Sequence, residues 1–168
     1  MTEFSTRQTI AHTPDQMFAL VADIESYPQF VPLCDNLKII ERQKNANGHE
    51  VMIADMAMAY KLFKETFRSR VTLTPADDGG VANILVEYLD GPFSHLENRW
   101  HFHPLNGLEK GGDSGRGSGG DNVGTDVEFY IAYEFRQRHV QMMVGPVFDK
   151  VFRRFINAFE ARADQLYA

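Results

Sequence analysis

Strand-like alternation of apolar and polar residues runs through most of the chain and gives way to helical spacing in two places, which predicts an α+β fold. Phe4, Thr6, Gln8 and Ile10 alternate with Ser5, Arg7 and Thr9, the pattern of an edge strand. Thr13, Pro14 and Gln16 then supply an N-cap, a proline for the first helical turn and a capping-box partner, predicting a short helix from Pro14 to about Ala22 with Met17, Leu20 and Val21 inward. Asp23 caps a second short helix over Ile24 to Tyr27, and Pro28 and Pro32 force the next stretch into extended turns. Strands follow over Leu37–Lys44, Glu50–Tyr60, Glu65–Thr74, Ala82–Leu89 and Leu96–His103, with links short enough to require antiparallel pairing.

Residues Gly107 to Gly124 hold eight of the 13 glycines and read as a mobile loop inserted in the sheet. Beyond it Val127, Phe129, Ile131, Tyr133 and Phe135 alternate with Glu128, Tyr130, Ala132 and Glu134, the cleanest strand signal in the chain. The C-terminal segment places Val144, Phe148, Val151, Phe152, Phe155, Ile156, Phe159 and Leu166 at helical spacings and predicts one long amphipathic helix, with Gly145 and Pro146 marking its start or a kink near its first turn. A phenylalanine face of that width needs an apolar surface of matching length, and only one face of a curved sheet supplies it. The expected arrangement is a single domain over 1–168, in which a helix lies across the concavity of an antiparallel sheet.

Composition sharpens this picture. Thirteen phenylalanines and seven methionines in 168 residues suit a large core or an apolar ligand site. The single Cys34 rules out an internal disulfide framework and any CxxC motif, so a reducing, cytoplasmic setting is expected. The chain shows neither a signal-peptide pattern at Met1–Ile10 nor an apolar run of spanning length. A formal charge of −6 argues against indiscriminate nucleic-acid binding, although Arg68, Arg70, Arg136, Arg138, Arg153 and Arg154, with Lys61 and Lys64, would form a basic surface if they converged.

Candidate chemistry is sparse. His101 and His103 share a strand face and would present two metal ligands, but Trp100 and Phe102 are the natural inward pair, which turns both histidines outward and predicts no metal. Cys34 reads as a small buried residue, and Glu97 and Glu128 belong to no acid/base pattern. The glycine-rich stretch runs into a strand and lacks the GK[ST] of a phosphate loop. On strand 50–60, Met52, Ala54, Met56, Met58 and Tyr60 share one face, as in a buried central strand or the wall of an adaptable apolar cavity.

Ordered strings go beyond patterning: Tyr27-Pro28-x-Phe30-Val31-Pro32-x-Cys34, Phe67-x-Ser69-Arg70-Val71, Asp90-Gly91-Pro92-Phe93-x-x-Leu96, Trp100-x-Phe102-x-Pro104-Leu105 and Ala158-Phe159-Glu160-x-Arg162-Ala163. Together they resemble the coenzyme Q-binding, START-like family within the polyketide cyclase and lipid-transport superfamily, whose bacterial members include the ribosome-association toxins. The resemblance covers nearly the whole chain and implies a helix-grip fold. It also implies an isoprenoid quinone such as ubiquinone held as a ligand between sheet and helix, supporting respiration or quinone biosynthesis, with neither cofactor nor catalytic residues. The sequence departs from similar ones at Leu33, where an aromatic is frequent, and in the length of 107–124.

From facing and resemblance together, the expected walls of the ligand site are Met52, Met56, Met58, Trp100, Phe102, Phe148, Phe152 and Phe155. Val31, Pro32, Leu33, Pro92, Phe93 and Leu96, in turn segments, are the expected mouth, exposed for transient contact with a membrane surface. Two alternatives stand beside this reading: a regulator that docks on a ribosomal subunit, and a cyclase-like enzyme that uses the cavity.

Overall fold

In the computed structural model, residues 1–77, 80–105 and 124–167 are described. The glycine-rich segment read at 107–124 therefore lies outside the described residues except for Gly124. The elements are β1 (Thr2–Ile10), α1 (Pro14–Ala22), a 3-10 helix (Ile24–Gln29), β2 (Cys34–Lys44), β3 (Glu50–Tyr60), β4 (Phe63–Thr74), β5 (Ala82–Asp90), β6 (Phe93–Leu105), β7 (Gly124–Phe135), α2 (Arg138–Arg153) and α3 (Phe155–Tyr167). The strands form one seven-stranded antiparallel sheet in the order β1-β7-β6-β5-β4-β3-β2, so the first strand closes against the last and both β1 and β2 are edges. This is the α+β arrangement expected from the alternation and the helix-grip fold that the resemblance implies.

Local chemistry sets α1 as predicted, whereas the 3-10 helix receives no side-chain capping bond from Asp23 and continues through Pro28 to Gln29 instead of ending at Tyr27. Thr13 Oγ1 accepts from the Gln16 amide while the Gln16 side chain accepts from the Thr13 amide, completing the capping box of α1 and burying Met17, Leu20 and Val21. Register shifts at Cys34/Asn36 and Ile39/Glu41 in β2, at Leu89 of β5 opposite Arg68/Ser69, and at Phe93/His95 in β6 bend the sheet, since an unpaired residue increases local twist. Strands β2, β4 and β6 also begin earlier than the alternation predicts, because their first residues pair with neighbouring strands although their sequence reads as turn.

The C-terminal helix differs from its prediction in two ways. It is not continuous: Arg154, with φ −111° and ψ 6°, separates α2 from α3, and Leu166 at the far end is exposed. Nor does it start at Gly145 and Pro146, since α2 begins at Arg138 and carries Pro146 in its interior. Pro146 lies on the exposed side of the helix, and its missing N–H leaves the Met142 carbonyl without that helical bond. Gly145 is buried and serves close approach: a Cβ there would sit 2.3 Å from the Gln141 amide nitrogen, and its carbonyl accepts from the Tyr133 hydroxyl on β7 at 3.5 Å.

An aromatic core joins sheet and helices. Phe159 on α3 packs edge-on against Trp100 at 4.9 Å, Tyr27 at 5.2 Å and Phe30 at 5.0 Å, pinning the 3-10 helix and the sheet to one ring. A second cluster, Phe63, Phe93, Phe135 and Phe148, closes the other end, with Phe135 4.7 Å from Phe93, 5.2 Å from Phe148 and 5.9 Å from Phe63. Edge-on and offset packing of this kind contributes about 0.5–1.5 kcal/mol per pair beyond area burial.

Candidate functional site: an apolar cavity between sheet and helix

Between the two aromatic clusters the concave face of the sheet does not meet the helices completely. A space of about 90 Å³ remains, walled by Met56 and Met58 from β3, Phe67 and Val71 from β4, Ile84 and Val86 from β5, Trp100 from β6, and Phe148, Val151, Phe152 and Phe155 from the helices. Tyr27, Val31, Pro32, Leu33, Cys34 and Leu37 complete it at the edge of β2. Water occupies about 30 Å³ in the liquid, and an apolar cavity of about 150 Å³ is known to stay dry and admit benzene. A ring-bearing ligand would therefore have to displace side chains, and unbranched methionines on β3 yield more readily than the β-branched residues of β5.

The wall is almost entirely hydrocarbon. Among the described residues no Asp, Glu, Lys, Arg or His lines the space, and its polar groups are largely engaged within the protein. Trp100 Nε1 donates to Asn98 Oδ1 at 2.9 Å, and the Asn98 amide nitrogen donates to the Tyr130 carbonyl at 2.9 Å. The Tyr27 hydroxyl donates to the Val21 carbonyl, and burial raises its pKa. Burial, reinforced by Asp35, pushes the Cys34 thiol up to about 11, so at neutral pH it is a neutral thiol and not a nucleophilic thiolate. Ser69, buried on β4, sets one hydroxyl among the lining side chains. Such a site can hold an apolar molecule and offer its polar end a hydrogen bond.

Of the eight wall residues expected from sequence, Met56, Met58, Trp100, Phe148, Phe152 and Phe155 come together around this space. Met52 and Phe102 do not. Both are buried, but Met52 lies at the far end of β3, where its sulfur is 3.6 Å from an Arg42 nitrogen, and Phe102 packs edge-on against Phe18 of α1 at 6.0 Å. They have the correct facing; the core simply extends beyond the cavity in their direction.

The expected exposed mouth needs a larger correction. Val31, Phe93 and Leu96 do line the cavity, but from inside: Phe93 is 0% exposed and the other two are buried, because each faces inward although its sequence surroundings read as turn. Phe93 begins β6 inside the second aromatic cluster, and its amide donates to the Tyr88 hydroxyl at 3.0 Å. Pro32 is exposed and Leu33 half-buried, so that turn does reach the surface, with Leu33 in the left-handed region at φ 69°. Pro92 lies elsewhere, in a polar cleft of about 370 Å³ formed with Phe63, Glu65, Asp90, Gly91, Arg136, Gln137 and Val140. Phe63, which lines this cleft, meets Phe148, which lines the cavity, edge-on at 5.8 Å.

Sequence reading missed the contributions of β2, β5 and the 3-10 helix, and of Ser69. The parity of β4 held that last signal: with Arg68 and Arg70 outward, Phe67, Ser69 and Val71 must face in. His101 and His103 do sit on the outer face, their rings 6.2 Å apart, with His103 2.9 Å from Glu128. The candidate basic residues do not form one surface. Arg68 pairs with Asp55, Arg70 with Glu87, and Arg153 with Asp149 while stacking on Phe4; Arg136 and Arg138 lie at the β7–α2 junction.

Comparison with known proteins agrees with this geometry. The ribosome association toxin RatA of Rickettsia prowazekii is 30% identical over 166 residues, covering 99% of each chain. The mitochondrial coenzyme Q-binding protein COQ10 homolog B of Xenopus laevis is 26% identical over 166 residues, covering 98% of this chain and 59% of its own. The solution structure of an 18 kDa protein from Caulobacter crescentus superposes with a TM-score of 0.69 at 29% identity, covering 99% of both chains. Residues 10–160, from the end of β1 into α3, match the family model described as polyketide cyclase / dehydrase and lipid transport, and with the helix-grip sheet already traced this chain belongs to that family.

Proposed function

We propose that this protein binds an isoprenoid quinone, or a similar apolar lipid with a small polar head, in the cavity between sheet and helix and carries it without transforming it. The observation behind this reading is the wall: hydrocarbon on every side, one buried serine hydroxyl, and no charged side chain among the described residues. An acid/base mechanism needs a titratable pair within reach of the substrate, and the cavity offers a neutral thiol and a hydrogen-bonded tyrosine instead. Met56, Met58, Phe152 and Phe155 would part for the ring, and Ser69 would donate to a quinone oxygen. Trp100, the only tryptophan, lines the cavity and serves as the reporter. Titrating the full chain with a short-chain ubiquinone should quench its fluorescence saturably, and Met58→Phe, which narrows the space without adding a second tryptophan, should weaken that saturation. Quenching that rises linearly and equally in both proteins would refute the proposal.

Docking on a ribosomal subunit is the second reading, favoured by full-length similarity to proteins named ribosome association toxins. Its weakness is electrostatic, since several arginines that would meet RNA phosphates are paired with carboxylates. Sucrose-gradient sedimentation with purified subunits separates the two: salt-sensitive comigration without saturable quinone quenching would favour ribosome docking.

A further inference from the structure

We propose that the rim of the polar cleft, formed by the β3–β4 hairpin tip and the outer face of α2, is a docking surface for an anionic lipid bilayer. The inference rests on the lipid-carrier reading and names the partner from which that carrier would load.

Four local features at this rim run against what the fold alone prefers. The hairpin turns through Lys61 and Leu62 with Lys61 left-handed at φ 55°, where a two-residue turn ordinarily uses glycine, asparagine or aspartate. Leu62 is 98% exposed, the most exposed large apolar residue among the described residues. Helix α2 opens with no side-chain cap and no acidic residue in its first turn, placing Arg138 and His139 against the positive end of its dipole. On its solvent face Met142 and Met143 are exposed next to Pro146. Breaches of local preference that concentrate in one place mark function more often than chance.

The two elements flank one opening. Phe63, directly after the hairpin tip, and Val140, in the first turns of α2, both line the cleft that abuts the cavity through Phe63 and Phe148. On the hairpin tip and at the start of α2 the exposed cations Lys61, Lys64 and Arg138 carry no ion pair among the described residues, whereas the arginines on the outer face of the sheet are paired. Glu65 and Asp90 lie within the cleft itself, with Arg136. In a chain of net charge −6, flexible apolar side chains bordered by unpaired lysine and arginine match a negatively charged interface, which takes up apolar groups and attracts cations. A docked bilayer would face Phe63, whose ring packs against Phe148 of the cavity wall.

Vesicle flotation of the full chain tests this, using phosphatidylcholine vesicles with and without phosphatidylglycerol. The wild-type protein should float with the anionic vesicles only, and less as salt rises. Leu62→Asp combined with Met143→Asp should weaken flotation by at least about tenfold, and Lys61→Glu with Lys64→Glu should do the same at low salt. Ile40→Asp, at an exposed apolar residue on the edge strand β2, should float like the wild type. Quenching of Trp100 by a short-chain quinone should be unchanged in all of these, because none lines the cavity. Absence of wild-type flotation, equal flotation of the rim variants, or an equal loss in Ile40→Asp would overturn the docking surface. Rim-dependent flotation without saturable quenching would uphold docking while removing the quinone reading.

Discussion

Phe93 shows how a single residue's role depends on which neighbour its backbone finds. Its Asp-Gly-Pro-Phe surroundings read as an exposed turn, yet the ring is enclosed by Phe67, Tyr88, Tyr133 and Phe135. Phe93→Asp is therefore expected to cost at least about 3 kcal/mol in denaturant melts, a cavity plus a buried carboxylate, instead of being tolerated at a mouth. Gly91 has a complementary constraint: its φ is 144°, and a Cβ would stand 2.5 Å from the Phe67 Cβ and 2.9 Å from its Cα. Gly91→Ala should lose about 1–3 kcal/mol, since backbone must shift to admit the methyl group; an unchanged melting midpoint would mean the turn is not held against β4. At Leu33 the forces oppose one another. Its left-handed backbone costs of the order of 1 kcal/mol, so Leu33→Gly should leave stability almost unaltered while weakening quinone quenching of Trp100.

At the scale of elements, the division of labour along the C-terminal helices makes a sharper claim. Phe159 is fully buried among Trp100, Tyr27 and Phe30, whereas Phe152 is half-buried and borders the cavity. Phe159→Ala should cost about 3–5 kcal/mol, and Phe152→Ala distinctly less while impairing ligand binding more; equal losses in thermal melts would mean no space exists beside Phe152. Sequence pattern reached these elements unevenly. The capping box of α1, the strand limits of β3 and the inward face of β7 were legible because short-range chemistry or strict alternation determines them. The break at Arg154 was not, because no proline or glycine stands there and the phenylalanine spacing continues across it. The early starts of β2 and β6 were hidden for a related reason: tertiary pairing overrides turn-forming sequence, and the bulges at Cys34/Asn36 and Phe93/His95 leave no mark on composition. Facing was thus readable from sequence, and so were most wall residues; where the cavity stops was not, since that depends on how far α1 and the helices fill the sheet.

Across the whole molecule the sheet separates two environments, an aromatic and aliphatic interior and an outer face knit by ion pairs. The guanidinium of Arg68 holds the Asp55 carboxyl below its ordinary range through paired hydrogen bonds, and a hydrogen bond from His103 lowers Glu128. A carboxyl whose folded-state pKa is depressed adds stability above its unfolded value and loses it as pH falls through the folded one. Stability should accordingly decline below about pH 4, the ordinary carboxylate value, and Asp55→Asn should flatten that decline in pH-dependent melts. In the proposed function the interior is the ligand site, and the central claim is its occupancy by an apolar lipid. Organic extraction of the full chain, purified without detergent from quinone-producing cells, followed by mass spectrometry addresses it most directly. An isoprenoid quinone recovered from the wild-type protein and absent from Met58→Trp is the expected result; extracts of the two proteins that are equally free of quinone and of any other apolar lipid would contradict it.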